Sequence, residues 1–212
     1  TIIANGGEIY LTTNAVNELL KGVVNNTGVI EANSFDDVIG KVEVFAHGGT
    51  ANISGTINAE KGFVETSGKK FSIDKNTNIK VKTWLIDPTD FTIGANGDMT
   101  GTLLSSLLGG GNITISSVSG AKEGKGDINV NDAVSWSSDS VLTLIAQHDI
   151  NINNAITISG ANAGLVLNYG GDYNIRTKAS YSGTTTDANG NLVAQTDTSG
   201  GVYGSVTFLN SA

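Results

Sequence analysis

One four-residue phrase recurs three times in the second half of the chain at a nearly constant interval. The phrase, Asp-(Ile or Tyr)-Asn-(Val or Ile), begins at Asp127, Asp149 and Asp172, so the intervals are 22 and 23 residues. Repeats of about 20–50 residues indicate units that stack as solenoids, propellers or arrays. Propeller blades need about 40 residues, and the pattern of leucine-rich repeats is missing. The interval therefore predicts an all-β parallel β-helix, a solenoid with about 22 residues and three short strands in each coil.

Stacked coils place equivalent residues above one another at about 4.8 Å, the spacing of hydrogen-bonded strands. The repeat therefore predicts two inward columns of mostly apolar side chains. One column contains Ile128, Ile150 and Tyr173, and the other contains Val130, Ile152 and Ile175. At about 22 residues per coil, a chain of 212 residues predicts roughly nine to ten coils.

Apolar and polar residues alternate through most of the chain, as expected for short strands. Two segments favour short helices instead, at residues 14–21 (NAVNELLK) and 102–108 (TLLSSLL). The second helix is expected to have its cap near Thr100 or Thr102 and to end at the following glycines. We therefore predict an almost entirely β chain with two brief helical interruptions.

The 22-residue rhythm fails between residues 178 and 203, where the sequence is polar. Asn189-Gly190 lies at the centre of this stretch and is a strong turn signal, so we predict a β-hairpin at 179–202 that protrudes from the coils. Loops on a rigid scaffold commonly carry binding. The hairpin is thus the candidate interaction surface, with a tolerated insertion as the alternative. The candidate partner-binding residues are Tyr181, Asp187, Asn189, Asn191, Gln195 and Asp197.

Charge and cysteine content exclude several classes of function. The formal net charge is −8, which is unlike a surface that follows nucleic-acid phosphates. No apolar run reaches the roughly 18 residues of a membrane span, so we expect no nucleic-acid partner and no direct membrane insertion. The chain has no cysteine, which excludes disulfides, thiolate zinc sites and thiol nucleophiles.

The aspartates and asparagines of the repeat resemble metal ligands at first sight. Asp127-x-Asn129-x-Asn131 opens like an EF-hand loop, but that loop requires Gly at its sixth position and Glu at its twelfth. Those positions hold Asp132 and Ser138. We therefore interpret the repeat's polar residues as the outer face and corners of each coil, stacked as ladders, and expect neither a metal nor a cofactor.

The two histidines, His47 and His148, follow similar strand-like text and lack the spacing of a zinc site. We interpret both as turn residues. A metal or haem role stays open only for a histidine pair that stacking brings close together.

Catalysis is not expected. Glycoside hydrolysis needs two carboxylates that face each other at about 5–9.5 Å, and no recognisable pair stands out in the sequence. The carboxylates considered are Asp36, Asp37, Glu43, Glu65, Asp87 and Asp90. Motifs of nucleophile elbows, phosphate-binding loops and dinucleotide-binding turns are absent. We therefore predict a protein that is not an enzyme.

Several stretches resemble the filamentous-haemagglutinin-like exoproteins of two-partner secretion systems. These stretches are ANGGEIYLTTNAVNELLKGVVNNTGVIEA (4–32), KGFVETSGKKFSI (61–73), WLIDPTDFTI (84–93) and GDINVNDAVSW (126–136). The likeness extends over nearly the whole chain, and the pairing of GFVETSG with WLIDP is its most specific part. The family's amino-terminal secretion domain carries Asn-Pro motifs that are missing here, so the chain is similar to the region downstream of that domain.

The resemblance implies a right-handed parallel β-helix, with residues 1–212 forming a single segment of a longer exoprotein. It also implies secretion to the surface of a Gram-negative bacterium through a dedicated outer-membrane β-barrel transporter. Most such proteins are adhesins that bind a host protein or glycan. The alternatives are haem acquisition through haemopexin and the stalk of a contact-dependent inhibition toxin. Some similar adhesins are glycosylated on Asn in sequons such as those at Asn25, Asn52 and Asn112, although chance matches are common in so Asn-rich a chain.

Overall fold

The computed structural model of the chain describes residues 1–14, 23–35, 38–118, 124–176, 184–186, 192–194 and 203–209. The described residues form 19 strands and one helix. The strands before the helix are β1 (Ile2–Ile3), β2 (Glu8–Asn14), β3 (Val23–Asn26), β4 (Val29–Glu31), β5 (Lys41–Ile53), β6 (Thr56–Ile73), β7 (Asn78–Asp87) and β8 (Phe91–Ile93).

The helix α1 (Gly101–Leu108) follows β8. The remaining strands are β9 (Asn112–Ser116), β10 (Ile128–Val130), β11 (Val134–Trp136), β12 (Val141–Ala146), β13 (Ile150–Ile152), β14 (Ala155–Ile158), β15 (Gly164–Tyr169), β16 (Tyr173–Ile175), β17 (Thr184–Thr186), β18 (Leu192–Ala194) and β19 (Ser205–Phe208). All pairings between these strands are parallel except that of β17 with β18. The predicted all-β, parallel-strand architecture is therefore confirmed.

One long stack of parallel strands, which we call the second stack, contains β2, β5, β6, β7, β9, β12 and β15 in that order. Its inward side chains form continuous, mainly apolar columns, because alternate residues of a strand point to the same face. One such column is Ile9, Val42, Val64, Trp84, Ile113, Leu142 and Leu165. Trp84 is buried, and its ring N–H donates to Thr66 Oγ1 at 3.0 Å. This column places the core along the axis of the stack.

The third stack consists of β8, β10, β13 and β16, and it confirms the predicted columns. Ile150 pairs with both Ile128 and Tyr173, and Ile152 pairs with Val130 and Ile175. Ile128 and Ile150 are fully buried. Tyr173 holds the predicted position but is 51% exposed, because β16 is the last strand of this stack among the described residues.

A further stack, which we call the first stack, has some of its strands before α1 in the sequence and the others after it. Before the helix it consists of β1, β4 and the first parts of β6 and β7, and after the helix of β11, β14 and β19. α1 packs on β11, where the Ser135 amide donates to Ser105 Oγ at 2.9 Å. Just after the helix, a Cβ at Gly111 would lie 1.9 Å from the Val81 carbonyl oxygen, so this approach requires glycine. The helix thus occupies a step that a strand would otherwise take.

The described residues place seven strands in the second stack, which is fewer than the nine or ten coils that a uniform period predicts. The interval is 22 residues from Lys41 to Phe63, 20 from Phe63 to Thr83 and 29 from Thr83 to Asn112. α1 accounts for the longest of these intervals. Unequal intervals of this kind explain why the described strands form fewer layers than a constant period of 22 predicts.

The two predicted helices and the predicted hairpin have different outcomes. The helix predicted at 102–108 is confirmed as α1, with Thr100 as its N-cap accepting a hydrogen bond from the Leu103 amide at 3.2 Å. The helix predicted at 14–21 lies outside the described residues, apart from Asn14, which ends β2. β17 and β18 pair antiparallel, as the predicted hairpin requires. The other residues of 179–202 lie outside the described part of the chain.

Candidate functional site

Six residues of the predicted hairpin were the sequence-based candidates for partner binding. All six lie outside the residues that the structure describes. The described parts of the hairpin are β17 and β18, whose pairing places Thr185 opposite Val193. In the chain these two strands follow β16 and precede β19, which belong to two different stacks. The antiparallel pairing of the hairpin is therefore confirmed. Its role as a binding surface stays a prediction.

An aspartate ladder lies where the strands of the third stack begin. Asp90 Oδ1 accepts the amide of Asp127 at 3.0 Å, and Asp127 Oδ1 accepts the amide of Asp149 at 3.1 Å. Asp149 Oδ1 in turn accepts the amide of Asp172 at 2.8 Å. Each carboxylate thus satisfies a backbone donor of the next layer, which explains why aspartate recurs at the first position of the repeat. The ladder also holds like charges close together along the stack.

His148 lies beside two members of this ladder. Its Nδ1 is 2.9 Å from Asp127 Oδ1 and 3.4 Å from Asp149 Oδ1. The hydrogen bond with Asp127 raises the pKa of His148, and the charge of Asp149 acts in the same direction, while partial burial and Lys125 oppose them. The His148 side chain is 54% exposed. We call Asp127, His148 and Asp149 the His148 corner.

The donor atoms of the His148 corner all lie within 4.8 Å of one another. Sequence reasoning treated His148 as an isolated turn residue and did not find this group. The signal was present, because His148 precedes Asp149 in the repeat and Asp127 stands one interval earlier. The corner brings together imidazole and carboxylate donors, which suit a divalent metal ion, a proton or a cationic group.

An asparagine ladder covers the outer face of the third stack next to the corner. Asn151 Nδ2 donates to Asn129 Oδ1 and Asn174 Nδ2 donates to Asn151 Oδ1, both at 3.0 Å. Asn153 Nδ2 donates to Asn131 Oδ1 at 2.8 Å. The prediction that the repeat's polar residues form ladders on the outer face is therefore confirmed. The ladder leaves each amide further donors and acceptors toward solvent.

A second polar group lies on the outer face of the second stack, where Tyr10, Glu43 and Glu65 occupy one column. The Tyr10 hydroxyl donates to Glu8, and Lys41 forms an ion pair with Glu43 while its Nζ lies 5.7 Å from the centre of the Tyr10 ring. The hydrogen bond to Glu8 raises the pKa of Tyr10, and the hydrogen bond to Glu43 raises that of Lys41.

Glu65 is a half-buried carboxylate of that column. Burial raises its pKa, the charges of Glu43 and Asp87 add to the effect, and the hydroxyl of Ser67, which donates to Glu65 Oε1 at 2.9 Å, opposes it. The fold thus makes neighbours of Glu43 and Glu65, which the sequence did not mark as a pair.

The remaining candidates are dispersed. Asp87 ends β7, and its neighbour in the family-like WLIDP stretch, Trp84, belongs to the core. His47 lies within β5, so the prediction that it is a turn residue is wrong, and its side chain is outside the described part of the structure. Asp36 and Asp37 are likewise outside it.

The asparagines of the three sequons all lie in strands. Asn25 pairs with Asn52 across β3 and β5, and Asn112 Oδ1 accepts the amide of Val141 at 2.8 Å. That bond gives the Asn112 side chain a structural role at the start of β9.

Comparison of the chain with protein-family models, with curated proteins and with solved structures gave no match in any of the three. Among the residues that the structure describes, no helix combines the length and the apolar character that a membrane crossing requires.

Proposed function

We propose that this chain is a binding segment of a secreted or surface-exposed adhesin. In this proposal the parallel strands wind as a right-handed β-helix, and its side surfaces and hairpin contact molecules of a host or of a neighbouring cell. The family resemblance of the sequence supports the proposal. Export in this proposal uses an outer-membrane β-barrel transporter, as it does in the family that the chain resembles.

The fold part of the proposal is supported by the register of the third stack. Asn129, Asn151 and Asn174 return to equivalent positions after 22 and 23 residues, and every pairing in this stack is parallel. Parallel connections within a sheet are right-handed in about 98% of cases. Three stacks visited in turn, each in parallel register, are what a β-helix requires, and the general preference for right-handed connections favours the right-handed form.

The binding part rests on one observation, the insertion of an antiparallel pair between two parallel stacks. The chain leaves the third stack after β16, forms β17 and β18, and returns to the first stack at β19. Arg176 and Gly204 mark the two ends of this excursion, since the Gly204 amide donates to the Arg176 carbonyl at 2.6 Å. The excursion can therefore vary in sequence without disturbing the stacks.

Adherence to cells tests this proposal directly. Beads coated with the chain are expected to adhere to cultured epithelial cells, and a variant with residues 179–202 replaced by a short Gly-Ser linker is expected to lose most of that adherence. A control variant with Asn76→Ala and Asn162→Ala, which alters exposed turn residues, should adhere like the original chain.

Immobilised haemopexin, assayed in parallel, separates haem acquisition from adhesion. Capture of haemopexin without adherence to cells would replace the adhesin proposal with haem acquisition. If the chain neither adheres to cells nor captures haemopexin, the proposal is overturned and the chain is a scaffold.

A further inference from the structure

We propose that the His148 corner is a site for a divalent transition-metal ion of the zinc class, bound between two successive layers of the third stack. The proposal is independent of the adhesin function. It assigns His148 Nδ1, Asp127 Oδ1 and Asp149 Oδ1 as the protein ligands, with water completing the coordination.

The two distances from the imidazole nitrogen to the carboxylate oxygens fit such an ion. Zinc binds imidazole nitrogen and carboxylate oxygen at about 2.0–2.2 Å, so adjacent ligands of a tetrahedral or octahedral ion lie about 3.0–3.4 Å apart. Nδ1 of His148 is 2.9 Å from Asp127 Oδ1 and 3.4 Å from Asp149 Oδ1. A metal ion in this position takes the place of the proton that Nδ1 shares with Asp127. The imidazolium releases that proton to solvent, whereas the neutral form with its proton on Nδ1 transfers it to Nε2, so that a neutral imidazole binds the ion in both cases.

The backbone of the next layer holds both carboxylates in place. Asp127 Oδ1 accepts the Asp149 amide, and Asp149 Oδ1 accepts the Asp172 amide. Hydrogen bonds of this kind orient metal ligands and reduce the reorganisation that binding requires. The parallel register of Ile128 with Ile150 fixes the spacing between the two layers. The ligands are therefore arranged by the fold before an ion arrives.

Charge and donor type select the class of ion. Two carboxylates and a neutral imidazole carry a formal charge of −2, which a divalent cation neutralises. Calcium prefers six to eight oxygen ligands, whereas an imidazole nitrogen with carboxylates suits zinc and its neighbours among the transition metals. The exposure of His148 leaves room for water ligands and an open path for the ion.

Calorimetric titration of the tag-free chain with ZnCl₂ tests the site. We expect one ion to bind, with the affinity reduced about tenfold or more by His148→Ala and by Asp127→Asn, in keeping with the sensitivity of metal sites to their ligands. The chain has only one other histidine, so His47→Ala is the matched control and should bind as the original chain does. Asp139→Asn removes a carboxylate that accepts hydrogen bonds from Asn162 instead, and it should also leave binding unchanged.

Nitrogen NMR of the imidazoles identifies the ligating atom. Zinc is expected to shift Nδ1 of His148 and to leave its Nε2 protonated. The proposal is overturned if the chain binds no zinc at millimolar concentration, if His148→Ala binds as tightly as the original chain, or if the shifted nitrogen is Nε2 or belongs to His47. Circular dichroism of each variant establishes that lost binding does not reflect lost structure.

Discussion

The strands after α1 and the strands before it stack in the same parallel manner, but only the later ones repeat in sequence. In the later region the inward column (Ile128, Ile150) and the outer ladder (Asn129, Asn151, Asn174) both recur. In the earlier region the inward positions are apolar but varied, and the outer column holds Tyr10, Glu43 and Glu65.

This difference between the two regions shows which structural feature a repeated sequence indicates. Any apolar side chain of suitable size can occupy an inward position, so a core alone does not impose a repeated sequence. An amide ladder requires asparagine at each step, because each side chain donates to the one below and accepts from the one above. The recurring phrase therefore marks the outer ladders in which one asparagine side chain bonds to the next.

The largest expected effect tests whether the two regions share one kind of core. Ile150→Ala after the helix and Ile86→Ala before it each remove a fully buried side chain, so each should lower the free energy of unfolding by about 2–5 kcal/mol. Urea denaturation followed by circular dichroism measures this. Thr143→Ala, on the outer face, should change it by less than about 0.5 kcal/mol. A much smaller loss in one region would show that its core is less tightly packed.

An intermediate effect sharpens the role of the ladder. Asn151 makes ladder bonds to both Asn129 and Asn174, whereas Asn174 makes one that is observed, to Asn151. At about 0.5–1.5 kcal/mol for each hydrogen bond, Asn151→Ala should destabilise the chain by about 1–3 kcal/mol and Asn174→Ala by about half as much. Thermal unfolding of the two variants side by side measures the ratio. Equal losses would mean that the ladder bonds contribute little.

The smallest effect concerns the charged column of the earlier region. Burial raises the pKa of Glu65, so the folded chain binds a proton there more tightly than the unfolded chain does. Its charged form therefore opposes folding, and this penalty grows as the pH rises above the ordinary glutamate range, near about 4.3. Glu65→Gln keeps an oxygen that can accept from Ser67 and should raise the unfolding temperature slightly at pH 7.

The pH dependence of that difference provides the check. The advantage of Glu65→Gln should disappear as the pH falls through the glutamate range, where the original side chain is also neutral. Glu43→Gln, which removes the ion pair with Lys41, should give no such gain. An unfolding temperature at pH 7 that is lower for Glu65→Gln than for the original chain would contradict the assignment.

The amino-acid sequence by itself predicted that the chain is built of short strands, that they are in parallel register after the helix, and that α1 has its cap at Thr100 or Thr102, of which the structure shows Thr100. Those features depend on alternation, on the 22-residue repeat and on local capping, which are all legible within a short window. The same repeat predicted that Asp127, Asp149 and Asp172 stack, because equal intervals bring equal positions together.

Only the tertiary structure decided which side chains meet where the intervals are unequal. Turn lengths, which no local pattern specifies, decide that Glu43 pairs with Glu65. They also decide where α1 replaces a strand and how many layers the described strands form. The His148 corner was predicted in part by the sequence and decided in part by the tertiary structure. The repeat stacks its two aspartates, but the distance of His148 from both depends on how the turn before β13 orients the ring.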